Sequence, residues 1–384
     1  MMREKVLFCI TVYNGKAFVP RAIQSAVAMS QSEADVSVLV LDDASPEPGW
    51  SQELEKICIA LGANYYCTPR NLGIPRNVNL GLLTAANLNF DYVVICNSDT
   101  IFASNTVDQL VSCWRANRTS GAITAWSNNV SIYSLPNCDP DAHLAEQQAV
   151  DEISNGLAKL HTTDVVDIPA GISFCILIPT EVVRDVGLTD PCFGRGYCEE
   201  TDLSLRTLLA GYRMCLAPGV FVYHQGRGSN LSAGLVTAAA TTVPKNEAII
   251  DLRYPDFRKT VDKFIKSGVI ENIHKTSLRQ IIINAAKDKG YCLATSAIRL
   301  EQREKQRALF CQSKANPRQL AGYYRGFSHV FDLGNQSAAE FLFELIGTPP
   351  AELVFFDRDS GEKALVEKFP ATPVKKLAFY PSSI

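Results

Sequence analysis

The sequence lacks any apolar run near the ~20 residues that a membrane-spanning helix requires, and it lacks a strong charge of either sign, with a formal net charge of −3. Basic and acidic residues are mixed along the chain, which excludes the basic face of a nucleic-acid-binding protein and a polybasic arm for anionic membranes. The twelve cysteines form no C-x-x-C pair, which argues against a zinc or disulfide framework. We therefore expect reduced, mostly buried thiols, a cytoplasmic location, and small molecules or proteins as partners.

Length and apolar content indicate a globular protein with more than one domain. The chain has 384 residues, of which 47% are hydrophobic, enough for a substantial core. The apolar run Val6–Ile10 near the N-terminus is too short for the core of a signal peptide and leads into a polar turn. It is typical of a first β-strand.

Apolar segments of strand length alternate with longer segments of helical period over the first hundred residues. This alternation predicts an α/β fold with a mostly parallel sheet and helices on both faces. In such sheets, ligands bind beyond the carboxyl ends of the strands. The predicted strands are Val6–Thr11, Val36–Leu41, Asn64–Cys67 and Tyr92–Cys96, and the predicted helices are Ala17–Met29, Ser51–Leu61 and Asn77–Ala86.

Short polar clusters follow three of these predicted strands. They are Thr11–Gly15, Asp42–Ser45 and Asn97–Thr100. For one such cluster alone, the N-cap of the following helix is the preferred interpretation. Three in register, with the acidic cluster Glu199–Asp202 further along the chain, favour a binding site at this edge of the sheet.

Five segments occur in the order expected of one enzyme family. They are TVYNG from Thr11, VLVLDDAS from Val38, NLGIPRNVNLGL from Asn71, VVICNSDT from Val93, and FGRGYCEETDLSLRTLLAGYRMCLAPGVFVYHQG from Phe193. Together they resemble the family 2 inverting glycosyltransferases of the GT-A fold, over roughly residues 5 to 230. The last block is the most specific, because it joins an acidic cluster, a D-L-x-L-R helix, an A-G-Y-R turn and a strand that ends in histidine.

The resemblance implies a site for a divalent metal ion. The D-x-D motif of the family is here Asn97-Ser98-Asp99, with a neutral residue in the first position. Asp99 is therefore the implied metal ligand, and His224 the implied second ligand. Oxygen and imidazole donors suit Mn²⁺ or Mg²⁺, which would neutralise a leaving diphosphate.

The resemblance also implies a general base in the acidic cluster. Aligned on the E-D-x-D-L pattern of the family, Glu200 takes the position of the base, with Glu199 as the next choice. Neighbouring carboxylates raise one another's pKa, so that one can accept a proton. Asp202 is the third carboxylate of the catalytic cluster, and its place favours capping or positioning the helix. An acidic first turn that merely complements the helix dipole is the alternative.

The donor nucleotide sugar is expected to contact residues from four segments of the motifs. By resemblance these are Thr11, Tyr13 and Asn14; Asp42 and Asp43; Asn71, Arg76 and Asn79; and Asn97 and Ser98. The alternative for the Asn and Gly residues is turn chemistry, and for Gly73 that alternative is preferred.

The resemblance fades after residue 229. We predict a glycosyltransferase catalytic domain at 1–245, a helical connector at 246–288, and an accessory α/β domain of unknown function at 289–384. Ser232–Pro244 is predicted to be a loop or lid, Arg299–Gln312 a charged helix, and Asp357–Asp359 a loop that imitates an acidic site.

The resemblance implies a hexosyl- or deoxyhexosyltransferase that uses a UDP- or dTDP-sugar. The expected acceptors are hydroxyl groups of glycans, lipid-linked sugars or glycoproteins, as in polysaccharide biosynthesis. The alternative is a non-catalytic nucleotide-binding or scaffold protein, motivated by Asn97. A sugar-1-phosphate nucleotidyltransferase would need a Gly-rich, basic first loop, which Thr11–Gly15 is not. Peripheral membrane association and oligomerisation stay open.

Overall fold

The computed structural model describes residues 3–135, 144–226, 243–294, 307–312, 316–356 and 362–377. The chain forms two compact units, the first made of residues 1–135 and 145–271 and the second of residues 136–144 and 272–384. The boundary at 271/272 falls inside one helix, Val269–Lys289. The domain limits expected from the sequence, at 245/246 and 288/289, stay a prediction.

The first unit is built on one sheet of nine strands. Six of them run in one direction, and β5, β7 and β8 run against them, so the predicted mostly parallel α/β sheet is confirmed. The spatial order is β3-β2-β1-β4-β8-β6-β9-β5, with β7 beside β9. The strands are β1 Glu4–Val12, β2 Ala34–Asp42, β3 Asn64–Cys67, β4 Tyr92–Asn97, β5 Thr100–Phe102, β6 Ser120–Ser127, β7 Val166–Asp167, β8 Cys175–Pro179 and β9 Arg213–His224.

Helices connect the strands and cover the sheet. Pro20 and Pro75 lie in the first turns of α1 and α3, where a missing backbone N–H costs little. The helices of this unit are α1 Val19–Val27, α2 Trp50–Leu61, α3 Ile74–Asn87, α4 Thr106–Ala116, α5 Gln147–Leu160, α6 Thr180–Val186, α7 Glu199–Leu209, α8 Pro244–Arg253 and α9 Phe257–Lys266.

The core of the first unit lies at the centre of its sheet. Every residue of β6 and β8 is buried, and β9 is buried except for Arg213. Strands that are buried on both faces read as continuous apolar runs, as Cys175–Pro179 does, whereas the sequence analysis did not predict β6. A rigid, covered sheet fixes the ends of its strands, and therefore the loops that follow them.

The second unit has a six-stranded sheet of order β13-β12-β11-β10-β14-β15. Its strands are β10 Tyr291–Ala294, β11 Ala308–Gln312, β12 Gln319–Tyr324, β13 Phe327–Asp332, β14 Glu352–Phe356 and β15 Val374–Leu377. Its helices are α10 Val269–Lys289, shared with the first unit, α11 Ala338–Ile346 and α12 Glu362–Lys368.

The predicted helix Arg299–Gln312 is wrong over its last five residues. They form β11, whose buried apolar side chains pair with β10 on one side and with β12 on the other. Sheet pairing over an apolar run of this length outweighs the helical preference of the charged segment before it. The remainder of that segment, 299–306, lies outside the described residues, as do 232–242 of the predicted lid and the cluster Asp357–Asp359.

Within the part of the chain that the structure describes, no helix combines the length and the apolar character needed to span a bilayer.

Candidate active site

Strand register brings the predicted site residues to one edge of the first sheet. Thr11 of β1 lies opposite Asn97 of β4, and Asp42 of β2 lies opposite the last residue of β1. At the far side of the sheet, Thr100 of β5 lies opposite His224 of β9. The strand-end clusters are therefore neighbours in space, as the sequence pattern predicted.

Asp99 and His224 form the buried polar centre of this edge. Oδ1 of Asp99 lies 3.1 Å from Nε2 of His224, and the two residues are only 3% and 8% exposed. Nδ2 of Asn97 lies 3.3 Å from the same ring nitrogen. Beside them, the Ser98 hydroxyl is buried with no hydrogen-bond partner among the described residues.

Two asparagines at the end of β6 hold His224 in place. The Asn128 side chain accepts a hydrogen bond from the backbone N–H of His224 at 2.8 Å and donates one to its carbonyl at 3.0 Å. The Asn129 carbonyl lies 2.8 Å from Nδ1 of the His224 ring. Because a carbonyl can only accept, Nδ1 carries the proton in the neutral ring, and Nε2 presents its lone pair to Asp99 and Asn97.

The charge state of His224 depends on opposing influences. Burial lowers the pKa of its imidazole, but the charge and hydrogen bond of Asp99 and the Asn129 carbonyl outweigh burial, and the net pKa is raised. A cation at Nε2 is therefore favoured by its surroundings, whether that cation is a proton or a metal ion.

The donor set of this centre fits a divalent ion. Neighbouring ligands of a six-coordinate ion with bonds of ~2.1 Å are about 3 Å apart, close to the observed separation of Asp99 Oδ1 and His224 Nε2. Among the described residues, no group of three His, Cys, Asp or Glu side chains could hold a metal. Asp99 and His224 are therefore the two side chains of this centre that could hold a divalent ion.

The two aspartates at the end of β2 form hydrogen bonds with other residues of the protein. The fully buried Asp42 carboxylate accepts hydrogen bonds from Ser45, Ser51 and Tyr65. The Asp43 carboxylate accepts from Thr68 and from the backbone N–H groups of residues 72 and 73. Both carboxylates shape the loops around them, so their predicted contacts with a nucleotide stay a prediction.

The loop after β1 contains a non-glycine residue, Asn14, with a left-handed backbone conformation. Asn14 has φ of +60°, and its backbone N–H donates to the Ser45 hydroxyl at 2.7 Å. The Asn14 side-chain oxygen is buried without a hydrogen-bond partner in the described part of the chain. Tyr13 is half-buried beside it, and Thr11 donates to the carbonyl of Cys96 at 3.1 Å.

The three residues around α3 that are predicted to contact the donor nucleotide sugar have different environments. The Asn71 side chain accepts from the Gly73 N–H, which is turn chemistry. The buried Asn79 side chain exchanges three hydrogen bonds with Thr189, which ties α3 to the segment before α7. Arg76 is exposed, with no ion pair or hydrogen bond to any other described residue. Among these three residues, Arg76 is therefore the one whose side chain is available to a ligand.

Glu199 and Glu200 begin α7 directly after a strained turn. Tyr197 and Cys198 have φ of +72° and +73°, a conformation that costs roughly 1–3 kcal/mol for each non-glycine residue. The two carboxyl groups face a small, mostly apolar cavity of about 30 Å³, and one oxygen of each is buried without a hydrogen-bond partner in the described structure. Stored strain and unsatisfied carboxylates both mark this turn as functional.

Their surroundings raise the pKa values of the two glutamates to different extents. Burial, followed by the charge of Glu200, raises the pKa of Glu199 well above the usual glutamate range. Burial also raises the pKa of Glu200, but hydrogen bonds from its own backbone and from the Glu199 side chain oppose that rise. The pKa of Glu199 is therefore raised more strongly than the pKa of Glu200.

Asp202 is a structural partner of several side chains. Its carboxylate is fully buried and accepts from Arg206 at 2.9 Å, Arg253 at 2.8 Å and the Tyr254 hydroxyl at 2.9 Å. These contacts support the positioning role that its place in the helix favours.

Residues 171–174 lie between the pair of Asp99 and His224 and the acidic turn, which is the segment 193–198 that leads into Glu199 and Glu200. The Phe174 carbonyl accepts from the Asn97 N–H at 2.9 Å, and the Phe174 ring lies 5.6 Å from the His224 ring. Ser173 lines the cavity with Glu199 and Glu200. The predicted metal ligands and the predicted base therefore border one continuous segment.

Sequence reasoning missed Asn128 and Asn129. They follow strand β6 in the same way that Ser98 and Asp99 follow β4, so the rule of polar clusters at strand ends would have found them. It also missed Asn246 of α8, which lies beyond the motif blocks and contacts the acidic turn. No local pattern marks that residue.

The comparison with known families decides the nature of the first part of the chain. Residues 7–135 match the model of the family described as Glycosyl transferase family 2. This stretch is similar to family 2 glycosyltransferases and is called the family 2 region. The resemblance read from the motifs is confirmed there, and the family 2 region contains Asp99 and every predicted donor contact. Glu199, Glu200 and His224 lie beyond the matched residues.

Two solved structures are similar to the chain in part. One is the crystal structure of GalNAc-T7 with UDP, GalNAc and Mn²⁺, with a TM-score of 0.45 and 16% identity over 58% of this chain and 44% of that chain. The other is the mannosyltransferase PcManGT from Pyrobaculum calidifontis in complex with GDP-Man and Mn²⁺, with a TM-score of 0.43 and 15% identity over 74% of this chain and 75% of that chain. No curated protein matches the sequence.

Proposed function

We propose that this chain transfers a sugar from a nucleotide-sugar donor to a hydroxyl group, with inversion at the anomeric carbon. One observation carries the proposal. The buried pair of Asp99 and His224 and the strained turn before Glu200 border the same segment, at the carboxyl edge of a sheet whose first strands lie in the family 2 region. A diphosphate site and a proton acceptor are the two requirements of glycosyl transfer.

Glu200 acts as the general base in this proposal. Its carboxylate accepts the proton of the acceptor hydroxyl while that oxygen forms a bond to the anomeric carbon of the donor. The bond from this carbon to the diphosphate oxygen breaks, and its electron pair leaves with the nucleoside diphosphate. A single displacement of this kind inverts the configuration. The pKa of Glu199 beside it is raised more strongly by burial, which favours the negative charge on Glu200 over one on Glu199.

Asp99 and His224 would hold a divalent ion, Mn²⁺ or Mg²⁺. Such an ion supplies Lewis-acid stabilisation of the charge that develops on the leaving diphosphate. The chain contributes the orientation of its ligands, because Asn128 and Asn129 hold His224 with Nε2 toward Asp99. Asn97 replaces the first acidic residue of the D-x-D motif and presents an amide to the same place.

The donor is proposed to be a UDP- or dTDP-sugar, and the acceptor a hydroxyl of a glycan, glycolipid or glycoprotein. Asn14 and Ser98 offer buried polar atoms without partners in the described structure, which a ligand could satisfy. The exposed, unpaired guanidinium of Arg76 is available to the base or the diphosphate. Hexosyl and deoxyhexosyl donors are both compatible with these contacts.

A donor-hydrolysis screen tests the proposal. The full chain is incubated with UDP-, dTDP- and GDP-sugars, with Mn²⁺, with Mg²⁺ and with EDTA, and released nucleoside diphosphate is measured. We expect slow, metal-dependent release from one donor and an inverted anomer in the product. If the chain binds nucleotide but releases no diphosphate from any donor, the alternative of a non-catalytic nucleotide-binding protein, motivated by Asn97, replaces the proposal.

A further inference from the structure

A single buried asparagine outside the motif blocks contacts the backbone of the acidic turn. Asn246 belongs to α8 and is 5% exposed. Its side-chain nitrogen lies 3.0 Å from the carbonyl oxygen of Phe193, 2.7 Å from that of Gly196 and 2.9 Å from that of Tyr197. The two N–H bonds of one amide group are thus shared among three backbone carbonyls of the segment that leads into Glu199 and Glu200.

The segment needs such support because its backbone is unusual. Gly194 and Gly196 have φ of +65° and +133°, and the next two residues, Tyr197 and Cys198, have φ of +72° and +73°. Two consecutive non-glycine residues in the left-handed region persist only where the surroundings over-determine them. The residue that follows is Glu199, so the turn sets where both carboxyl groups point.

The opposite side of the turn is held by the family 2 region. The backbone N–H of Ile74 donates to the carbonyl of Arg195 at 3.1 Å. A Cβ atom placed on Gly73 would lie 2.4 Å from the carbonyl oxygen of Gly194, so only glycine permits this approach. The turn is therefore fixed between the start of α3 and Asn246.

The C-terminal end of α8 is attached to the same catalytic helix. Arg253 donates to Asp202 at 2.8 Å and to Asp190 at 2.7 Å, and the Tyr254 hydroxyl donates to Asp202 at 2.9 Å. Helix α8 thus contacts the segment before α7 and the first turns of α7 itself. These ion pairs fix α8, and Asn246 extends from it to the turn.

We propose that Asn246 is a positioning residue for the base, which holds the turn of residues 193–198 in the conformation that presents Glu199 and Glu200. This inference rests on the proposed function for its catalytic consequence, while the hold on the turn itself does not depend on it. An asparagine is required because its amide donates to carbonyl oxygens, whereas an aspartate of equal size only accepts.

The test compares Asn246→Asp and Asn246→Ala with the wild-type full chain. We expect kcat to fall about 10- to 100-fold in both, the scale of a misplaced catalytic group, with the donor KM changed by less than about 2-fold. Ile250→Val is the matched control, because Ile250 is buried on the same helix and contributes packing only. It should lower the melting temperature without changing kcat. Equal kcat values in Asn246→Asp and Ile250→Val, at equal melting temperatures, would overturn the proposal.

Cys198 provides a readout that needs no turnover. Its thiol is half-buried in the turn, and burial together with the carboxylates of Glu200 and Glu199 raises its pKa to about 12. We expect its alkylation rate by iodoacetamide, followed by peptide mass spectrometry, to rise at least about 10-fold in Asn246→Asp, with exposed Cys67 as the internal reference. An unchanged rate overturns the inference. If no donor turns over but this rate rises, the proposed function fails while the role of Asn246 stands.

Discussion

Asp99 and His224 meet because β5 and β9 pair antiparallel, with Thr100 opposite His224. At the scale of single residues, this pairing brings two side chains that are far apart in the sequence into contact at a buried position. Asn128 holds the backbone of His224, and the Asn129 carbonyl contacts its ring. The protein itself therefore orients the ring, without a bound ligand.

The first prediction concerns this pair. Asp99→Ala and His224→Ala should each weaken nucleoside diphosphate binding about 10-fold or more with Mn²⁺ present, because the ion rather than the side chain meets the phosphates. With EDTA, the affinities of the variants and of wild type should be equal. Isothermal titration calorimetry measures both conditions, and His161→Ala, which removes a histidine at the end of α5, is the control. Wild-type binding that is equally tight with EDTA would contradict a metal-assisted mechanism.

The second prediction concerns the base. Glu200→Gln keeps the shape of the side chain and should keep donor affinity, but turnover should fall about 10²-fold or more, the usual loss when a general base is removed. Steady-state kinetics with the donor found in the hydrolysis screen provide the measurement. A larger loss in Glu199→Gln than in Glu200→Gln would show that the roles of the two glutamates are reversed.

The third prediction links the raised pKa of Glu199 to stability. Because burial raises this pKa in the folded state, the folded protein binds the proton more tightly than the unfolded chain, and stability is lost as pH rises above the ordinary glutamate value. Glu199→Gln cannot titrate, so it should unfold at higher denaturant than wild type at pH 8, with the difference vanishing near pH 4. Glu55→Gln, an exposed glutamate of α2, controls for the lost charge. A stability difference that does not change with pH would refute this linkage.

At the scale of elements, α7 depends on helices and loops that are distant in the sequence. Arg206 donates from within α7 to Asp202 and to the carbonyl groups of Val186 and Leu188, and Arg253 reaches Asp202 from α8. The helix that carries the acidic cluster is thus anchored through Asp202 in its first turn and Arg206 in its last turn. This anchoring leaves Glu199 and Glu200 free of ion pairs to any described residue.

The fourth prediction tests that anchoring. Asp202→Asn removes the charged partner of Arg206 and the buried one of the two charged partners of Arg253, and we expect a loss of about 1–3 kcal/mol in the free energy of unfolding, since both guanidinium groups are partly solvated. Asp190→Asn, at a third exposed, should cost less. Urea denaturation compares the two variants. Equal losses of unfolding free energy in the two variants would mean that Arg253 stabilises the fold as much through Asp190 as through the buried Asp202.

At the scale of the whole molecule, the two compact units divide inside α10. The first unit contains all strands of the nine-stranded sheet and every residue proposed for metal binding, proton transfer and positioning. The second has its own six-stranded sheet and its own buried core, which includes Leu309 and Val354. Each unit therefore has the attributes of a separate domain.

The fifth prediction follows from this division. A truncated chain of residues 1–271 should fold, show α/β circular dichroism with a cooperative melt, and bind nucleoside diphosphate with Mn²⁺ within about 3-fold of the full chain, because its core and site lie in one unit. The full chain measured in parallel is the reference. Aggregation of the truncated chain, with the full chain well behaved, would show that the second unit is needed for the fold of the first.

The amino-acid sequence by itself predicted the first four strands of the first unit and the edge at which their polar residues gather. Buried parallel strands read as apolar runs, and the residue after each run must lie at the carboxyl edge. The order of Thr11, Asp42 and Asn97 along the chain was therefore sufficient to place them together. The strand β11 was missed because a charged segment precedes it, and its pairing with β10 and β12 is not a local property.

Only the tertiary structure decided which polar side chains serve the fold and which stay available. Asp42, Asp43 and Asn79 are engaged by partners from other segments, while Arg76 is not. The hold of Asn246 on the acidic turn likewise depends on how α8 packs. Hydrogen bonds between segments far apart in the chain depend on distances that folding sets, and a single sequence carries no local pattern for them.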